Sequence, residues 1–416
     1  MIAREEAYHI LKQVVIQKQY ANLLLKNCTA EAVDMPLITR IVYGTLQHYR
    51  YLEYQWADLI KKRPPEEIVV LINMSVYQRY MMDKVPPYAI INEAVSIAKK
   101  ILKGQYAGLV NAVLRQVLTR HTRHVIMENK AEKLAIETSH PVWLVHMWRK
   151  QLGDDITEAI CHKNNMTPPL HVRVNPLKAT LDQVLSSGFF EISDAVLGSL
   201  IADPKIVRDE MFTSGKVIIQ DENSQRVVVF ADVKPGEKVL DVCSAPGTKT
   251  VQMAAIMQNQ GSILALDVHG HRIRLVESLI DKSGATIVKA KVADATHLPL
   301  SIKHETFDTV LIDAPCSGLG VLRRKPDIKM TIQPADLDDI QKLQAEILNE
   351  TCDCVKVGGK LIYATCTINK KENQLQIQNF LSAHPQFELI DQQQYLPHQS
   401  DGDGFYMAKL IRVSEI

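Results

Sequence analysis

The chain has 416 residues, of which 46% are hydrophobic and 23% charged, with a formal net charge of +1. That length predicts two or three domains with ample core, at roughly 100–200 residues per domain. The composition excludes a disordered chain, and no run reaches the ~18 apolar residues of a membrane span, so a cytoplasmic protein without membrane contact is expected.

The small net charge conceals an asymmetry. Residues 1–130 carry 18 Lys and Arg against 11 Asp and Glu, a net of +7, and the remainder carries −6. A basic front half suits a polyanionic partner and, equally, a solvated helical surface. Seven cysteines stand at 28, 161, 243, 316, 352, 354 and 366. An odd, scattered set argues against a disulfide framework. The one close pair, Cys352 and Cys354, lacks a second pair at zinc spacing, so no metal site is expected.

In chain order, the first 120 residues read as helices. Ala7, Ile10, Leu11, Val14 and Val15 share one helical face. Ile90, Ile91, Ala94, Val95, Ala98, Ile101 and Leu102 share another, after Pro86-Pro87 and before a stop near Gly104. Leu109, Val113, Leu114 and Val117 mark a third. An all-α bundle is predicted over 1–125. A connector and a small α/β subdomain follow over 126–215: "PVWLVHMW" is a short apolar patch, "PLHVRVNPLK" (169–178) alternates like a strand, and "TLDQVLSSGF" (180–189) resembles a helix ending at Gly188. From 216 to 416 short apolar strands alternate with helical patterns: KVIIQ, EKVLDVC, SILALDV, TIVKAKV, FDTVLIDA and GKLIYATC. This α/β alternation predicts a doubly wound, mostly parallel sheet with its ligand at the carboxyl ends of the strands.

"VLDVCSAPGTKT" (239–250) reads as a strand, a turn at Pro246-Gly247 and a helix start. Neither G-x-x-x-x-G-K nor G-x-G-x-x-G is present, which disfavours a nucleoside triphosphate or a dinucleotide. A ligand without phosphates, such as S-adenosylmethionine, suits this loop. Asp267 ends the next strand, 26 residues after Asp241, where an acidic side chain accepts from ribose hydroxyls. Asp294 ends the third strand, where it could hold an adenine amino group. Any one of these carboxylates alone is more readily a turn or cap residue; three at successive strand ends favour a ligand.

Cys316, in "DAPCSG", and Cys366, in "YATC", lie 50 residues apart at two strand ends on the same edge of the predicted sheet. Cys28, Cys161, Cys352 and Cys354 are read as inert core. Composition and spacing leave open which of Cys316 and Cys366 is a nucleophile.

"DVCSAPGTKT", "DAPCSG" and "YATCTINKKEN", with "QDENSQ" (220–225), "RRKPD" (323–327) and "DGDGFYMAKL" (401–410), resemble the Sun/Fmu family of RNA cytosine-C5 methyltransferases. The front half, through "INEAV" and "GLVNAVLR", is more weakly similar to the NusB RNA-binding fold. The resemblance covers essentially the whole chain. It implies a Rossmann-like S-adenosylmethionine-dependent domain after a NusB-like bundle. It also implies methylation of C5 of a cytosine in small-subunit rRNA, cytosine 967, or the same chemistry on tRNA or large-subunit rRNA. The physical need agrees: C5 is a poor nucleophile until a thiolate adds at C6, and the base must be flipped or unpaired.

By the same resemblance Cys366 is the nucleophile, Cys316 serves product release and Asp313 polarises the base. Cys243, Ser244, Ala245, Pro246, Gly247, Thr248 and Lys249, with Asp267, Arg272, Asp294 and Asp313, would bind the cofactor. A monomer is expected. Ser244, Thr248, Lys325 and Thr367 depart from the family's usual Ala, Gly, His and Ser, and none removes a reactive group. Arg323, Arg324 and Lys325 are candidates for phosphate contacts, with Arg173 and Asn175 weaker ones. Asp403-Gly404-Phe405 would line the base pocket or simply open a final strand. Two competing readings are a non-catalytic RNA-binding factor and a DNA cytosine methyltransferase attacking through the Pro-Cys thiol.

Overall fold

The computed structural model describes residues 3–193, 196–303 and 306–415. Two units make up the chain: residues 1–166 with 322–333, and residues 167–321 with 334–416. The connector expected over 126–215 is therefore divided. Its helices Lys130–Glu137, Val142–Leu152 and Asp154–Lys163 belong to the first unit, and its small sheet with the short helices Leu181–Leu185 and Glu210–Thr213 to the second.

The first unit is helical. Helices Ala3–Gln17, Met35–Gln47, Pro87–Lys100 and Ala107–Val117 each bury one apolar stripe, as their sequence periods require. The helix Glu66–Met81 behaves differently, since every residue from Ile68 to Gln78 is buried. Its polar side chains are bonded internally: Trp56 Nε1 donates to Asn73 Oδ1 at 2.7 Å, and Arg4 Nε donates to Gln78 Oε1 at 2.6 Å. Burial without such partners would cost a few kcal/mol per group.

The chain re-enters this unit at Leu322 and leaves it after Gln333. Within that segment Lys329 is almost completely buried. Its Nζ donates to Asn165 Oδ1 at 2.8 Å, Gln47 O at 3.3 Å and Thr138 O at 3.5 Å. Gln47 is the last residue of one helix and Thr138 caps another, Lys130–Glu137; Asn165 lies just past a third, Asp154–Lys163. Two helix carboxyl ends thus offer carbonyls to one ammonium, where the helix dipole favours a cation. Burial still pushes its pKa down to about 7.

The second unit carries two sheets. Strands β1 (Leu170–Val174), β2 (Phe190–Ile192), β3 (Ser199–Ala202) and β4 (Val217–Ile219) form an antiparallel sheet in the order β2-β3-β1-β4. KVIIQ, expected in the large sheet, is β4 of this small one, because it finds its partner in β1. The large sheet contains β5 (Lys238–Val242), β6 (Ser262–Asp267), β7 (Val288–Val292), β8 (Phe307–Asp313), β9 (Val355–Thr365), β10 (Phe387–Tyr395) and β11 (Phe405–Arg412). Its order is β10-β11-β9-β8-β5-β6-β7, with β7, β6, β5, β8 and β9 parallel. The order reverses between β5 and β8, and at such a switch point the strand ends open a crevice for ligand. Among the described residues no helix is long and apolar enough to cross a membrane.

Candidate active site

The loop from β5 to the helix Thr248–Ile256 begins at Cys243, at φ +62°, and turns at Gly247, at φ +101°. Gly247 N donates to Ser244 O at 2.8 Å. A side chain at Gly247 would be strained by its left-handed backbone and would press on Val276 Cα at 3.3 Å, so this turn requires glycine. Arg272 fastens the loop to the end of β6. Its guanidinium donates to Ala245 O at 3.2 Å and lies 3.3 Å from Asp267 Oδ2. Asp267 Oδ1 accepts from His269 N at 3.1 Å. Ser244 Oγ is buried with no hydrogen-bond partner, and the buried Asp267 Oδ2 has only the ion pair with Arg272 and no hydrogen bond. Buried polar atoms of this kind are normally satisfied, so this crevice suits a ligand with hydroxyl groups. Asp294, just past β7, is exposed and accepts from Thr296 N at 2.9 Å and Oγ1 at 2.7 Å.

Asp241 lies beneath this loop, fully buried, with Thr250 Oγ1 donating to it at 2.5 Å. Burial raises its pKa to about 7. Lys249, also buried, donates to Asp313 Oδ2 at 2.6 Å and stands 5.4 Å above the Phe405 ring. Burial disfavours the Lys249 cation, but Asp313, then Cys366 and Asp241, outweigh it, and its pKa stands above the usual lysine value.

Asp313 is the last residue of β8 and pairs in register with Ala364 of β9. Two parallel neighbouring strands therefore deliver Cys316 and Cys366 to one place, with Sγ–Sγ 3.3 Å. That is far longer than the ~2.05 Å of a disulfide; both are reduced, half-buried thiols. Gly320 permits the approach. Its N donates to Cys366 O at 3.0 Å and its O accepts from Gly404 N at 2.8 Å. A Cβ on Gly320 would meet Gly404 O at 2.1 Å.

The thiols differ in their surroundings. The hydrogen bond with Cys366, then burial, then the charges of Cys366 and Glu372 hold the Cys316 pKa well above the ordinary thiol value. The cation at hand, Lys249, feels Cys366. Cys243 is held as a thiol by burial and by Asp267, Asp313 and Asp241. Cys161 and Cys352 are buried, with pKa pushed up to about 12.

The expected RNA contacts divide. Lys325 is exposed and Arg324 half-buried, but Arg323 is buried. Arg173 and Asn175 do not face solvent either. Arg173 donates to Gln220 Oε1 at 3.0 Å inside the fold, and burial lowers its pKa to about 9. Asn175 Nδ2 donates to Gly215 O at 2.9 Å and Ser283 O at 2.8 Å. Strand β1, which holds Arg173 and ends one residue before Asn175, is covered on both faces, so alternation along "HVRVN" carries no exposed side. Glu372, buried in the loop after Cys366, went unnoticed in the sequence; its only signal is its place in "TINKKEN".

Comparison with known proteins places the chain. Residues 228–411 match the family model described as 16S rRNA methyltransferase RsmB/F, residues 1–119 the NusB family, and residues 140–187 the ferredoxin-like domain of RsmF/B-like methyltransferases. A Bacillus subtilis (strain 168) protein named "Probable ribosomal RNA small subunit methyltransferase B" is 36% identical, with 98% of each chain covered. This chain belongs to the ribosomal RNA small subunit methyltransferase B family. A Klebsiella pneumoniae (strain 342) member is 32% identical, again over 98% of both chains. The solved structure of PH0851 shares 25% identity and a TM-score of 0.82, covering 99% of each chain. A methyltransferase homologue from Pyrococcus horikoshii has a TM-score of 0.62 over 69% of this chain and 100% of its own. The family makes the large sheet that carries this loop a methyltransferase sheet.

Proposed function

We propose that the chain methylates C5 of a cytosine in small-subunit rRNA, cytosine 967, using S-adenosylmethionine and a covalent thiol adduct. The observation that carries the reading is the pair of thiols 3.3 Å apart beside the Lys249–Asp313 ion pair at 2.6 Å. A binding factor would have no use for two half-buried thiols at a strand-end crevice. The relatives' names supply the RNA.

Cys366 attacks as the thiolate. Its sulfur bonds to C6 and the C5=C6 π pair moves onto C5, which becomes enamine-like. Lys249 and Asp313 are the acid–base pair that holds a proton at the N3 edge, so that negative charge does not accumulate on the ring. S-adenosylmethionine, when bound by the 243–249 loop and Asp267, supplies an electrophilic methyl group, which C5 accepts with release of the neutral thioether. A base then removes the C5 proton, the pair re-forms C5=C6, and the C6–S bond breaks to return the Cys366 thiolate. Cys316, held as a thiol, is placed to donate to the departing Cys366 sulfur and so to aid this release, while the base that takes the C5 proton is a separate group.

The test uses tritiated S-adenosylmethionine and small-subunit rRNA. Cys366→Ala should abolish methyl transfer and adduct. Cys316→Ala should accumulate a covalent protein–RNA species on a denaturing gel. An active Cys366→Ala enzyme would refute the assignment. 5-Methylcytosine mapped only to tRNA or large-subunit rRNA would move the chemistry to that RNA.

A further inference from the structure

Glu372 is completely buried, and every partner of its carboxylate among the described residues is neutral. A buried carboxylate without a cation is costly unless several donors hold it. Here the donors come from both cysteine loops. Ser317, the residue after Cys316, donates through N at 2.9 Å and Oγ at 2.6 Å. Thr367, the residue after Cys366, donates at 3.4 Å, and Asn369 Nδ2 at 3.0 Å. The two hydroxyls also touch each other at 2.8 Å. Gln344, on the helix Pro334–Thr351, donates to Glu372 at 3.2 Å and to Pro315 O at 2.9 Å. Charge-assisted bonds of this kind are about twice as strong as neutral ones.

We infer that Glu372 is a positioning residue for the thiol pair: one carboxylate straps the Cys316 and Cys366 loops together, holds the two sulfurs side by side, and places a negative charge beside the Cys316 loop that helps set which thiol attacks. The inference rests on the covalent reading above for its catalytic meaning. Its hydrogen bond with Cys366 and burial bear most on Cys316, followed by the charges of Cys366 and Glu372, with the Gly318 amide opposing them; Cys316 in turn bears on the buried Tyr363 hydroxyl. The Lys249 cation interacts electrostatically with Cys366. The strap also gives Thr367 its sense, since a hydroxyl, not the particular side chain, is what the carboxylate takes.

The experiment follows alkylation of each thiol by iodoacetamide against pH, read by mass spectrometry, beside steady-state methyl transfer. In the wild type Cys366 should react at lower pH than Cys316. In Glu372→Gln the Cys316 midpoint should fall by about one pH unit, toward the ordinary thiol value near 8.5. The kcat should drop by about tenfold or more with KM for RNA and S-adenosylmethionine little changed. Asn369→Ala removes one strap and keeps the charge; it should lower kcat and leave the Cys316 midpoint in place. Its result stands even where the Gln variant does not fold. Wild-type kcat and midpoints in Glu372→Gln, or in Asn369→Ala a wild-type kcat, overturn the proposal. Alkylation needs no RNA. A shifted midpoint in an enzyme that methylates no cytosine would therefore sink the cytosine reading and leave the charge role standing.

Discussion

The buried Lys329 makes a quantitative prediction for the helical unit. An amine whose pKa falls from 10.5 to about 7 on folding differs by about 5 kcal/mol between its protonation states. The sign follows from proton counting. Between pH 7 and 10.5 the unfolded chain holds a proton that the folded one has released, so stability rises with pH across that window, by at most about 1.4 kcal/mol per pH unit. Lys329→Met removes this dependence. It also leaves Asn165 Oδ1, Gln47 O and Thr138 O without their donor, a loss of about 1–3 kcal/mol that does not vary with pH. The assay is built into the sequence: all three tryptophans, Trp56, Trp143 and Trp148, lie in the helical unit. Urea unfolding followed by tryptophan fluorescence at pH 7, 8 and 9 should show the wild type gaining about 2–3 kcal/mol relative to Lys329→Met. Parallel curves for the two proteins across this range would refute the reasoning.

Asp241 predicts the opposite slope in the catalytic unit. Its folded pKa of about 7 means the native state holds an extra proton between about pH 4 and 7, so stability falls as pH rises through that window. Asp241→Asn should therefore gain up to about 4 kcal/mol over the wild type at pH 8 and nothing near pH 4, read by circular dichroism melts. Gly320→Ala would place a Cβ 2.1 Å from Gly404 O and 2.8 Å from Cys366 O. It should lower kcat by about tenfold or more, while calorimetry finds S-adenosylmethionine affinity unchanged, since the cofactor loop lies elsewhere.

Much of this architecture was legible because its signals are local. The stripes at Ala7–Val15 and Ile90–Ala98 fall on helices, and the strand-end positions of Asp267, Asp313, Cys316 and Cys366 follow from alternating strands and helices. The helix Glu66–Met81 escaped notice because burial on all sides erases the amphipathic period. KVIIQ was assigned to the wrong sheet because strand pairing is non-local; β4 reads like any other apolar run until β1 claims it. Arg173 and Asn175 misled for a related reason, since a strand covered on both faces hides its polar residues as well as its apolar ones. Glu372 was invisible because nothing in "TINKKEN" announces a carboxylate with neutral partners. Only the adjacency of β8 and β9 brings Ser317 to it.

The return of residues 322–333 to the helical unit has a consequence in time. During synthesis the first 166 residues emerge with Gln47 O and Thr138 O facing a place that Lys329 has yet to fill. At about 5–20 residues per second the missing segment arrives on the order of ten seconds later, after most of the sheet strands have been made. The helical unit therefore completes itself only as the catalytic unit is being finished. A fragment cut at Met166 would stay in that earlier, unfilled state.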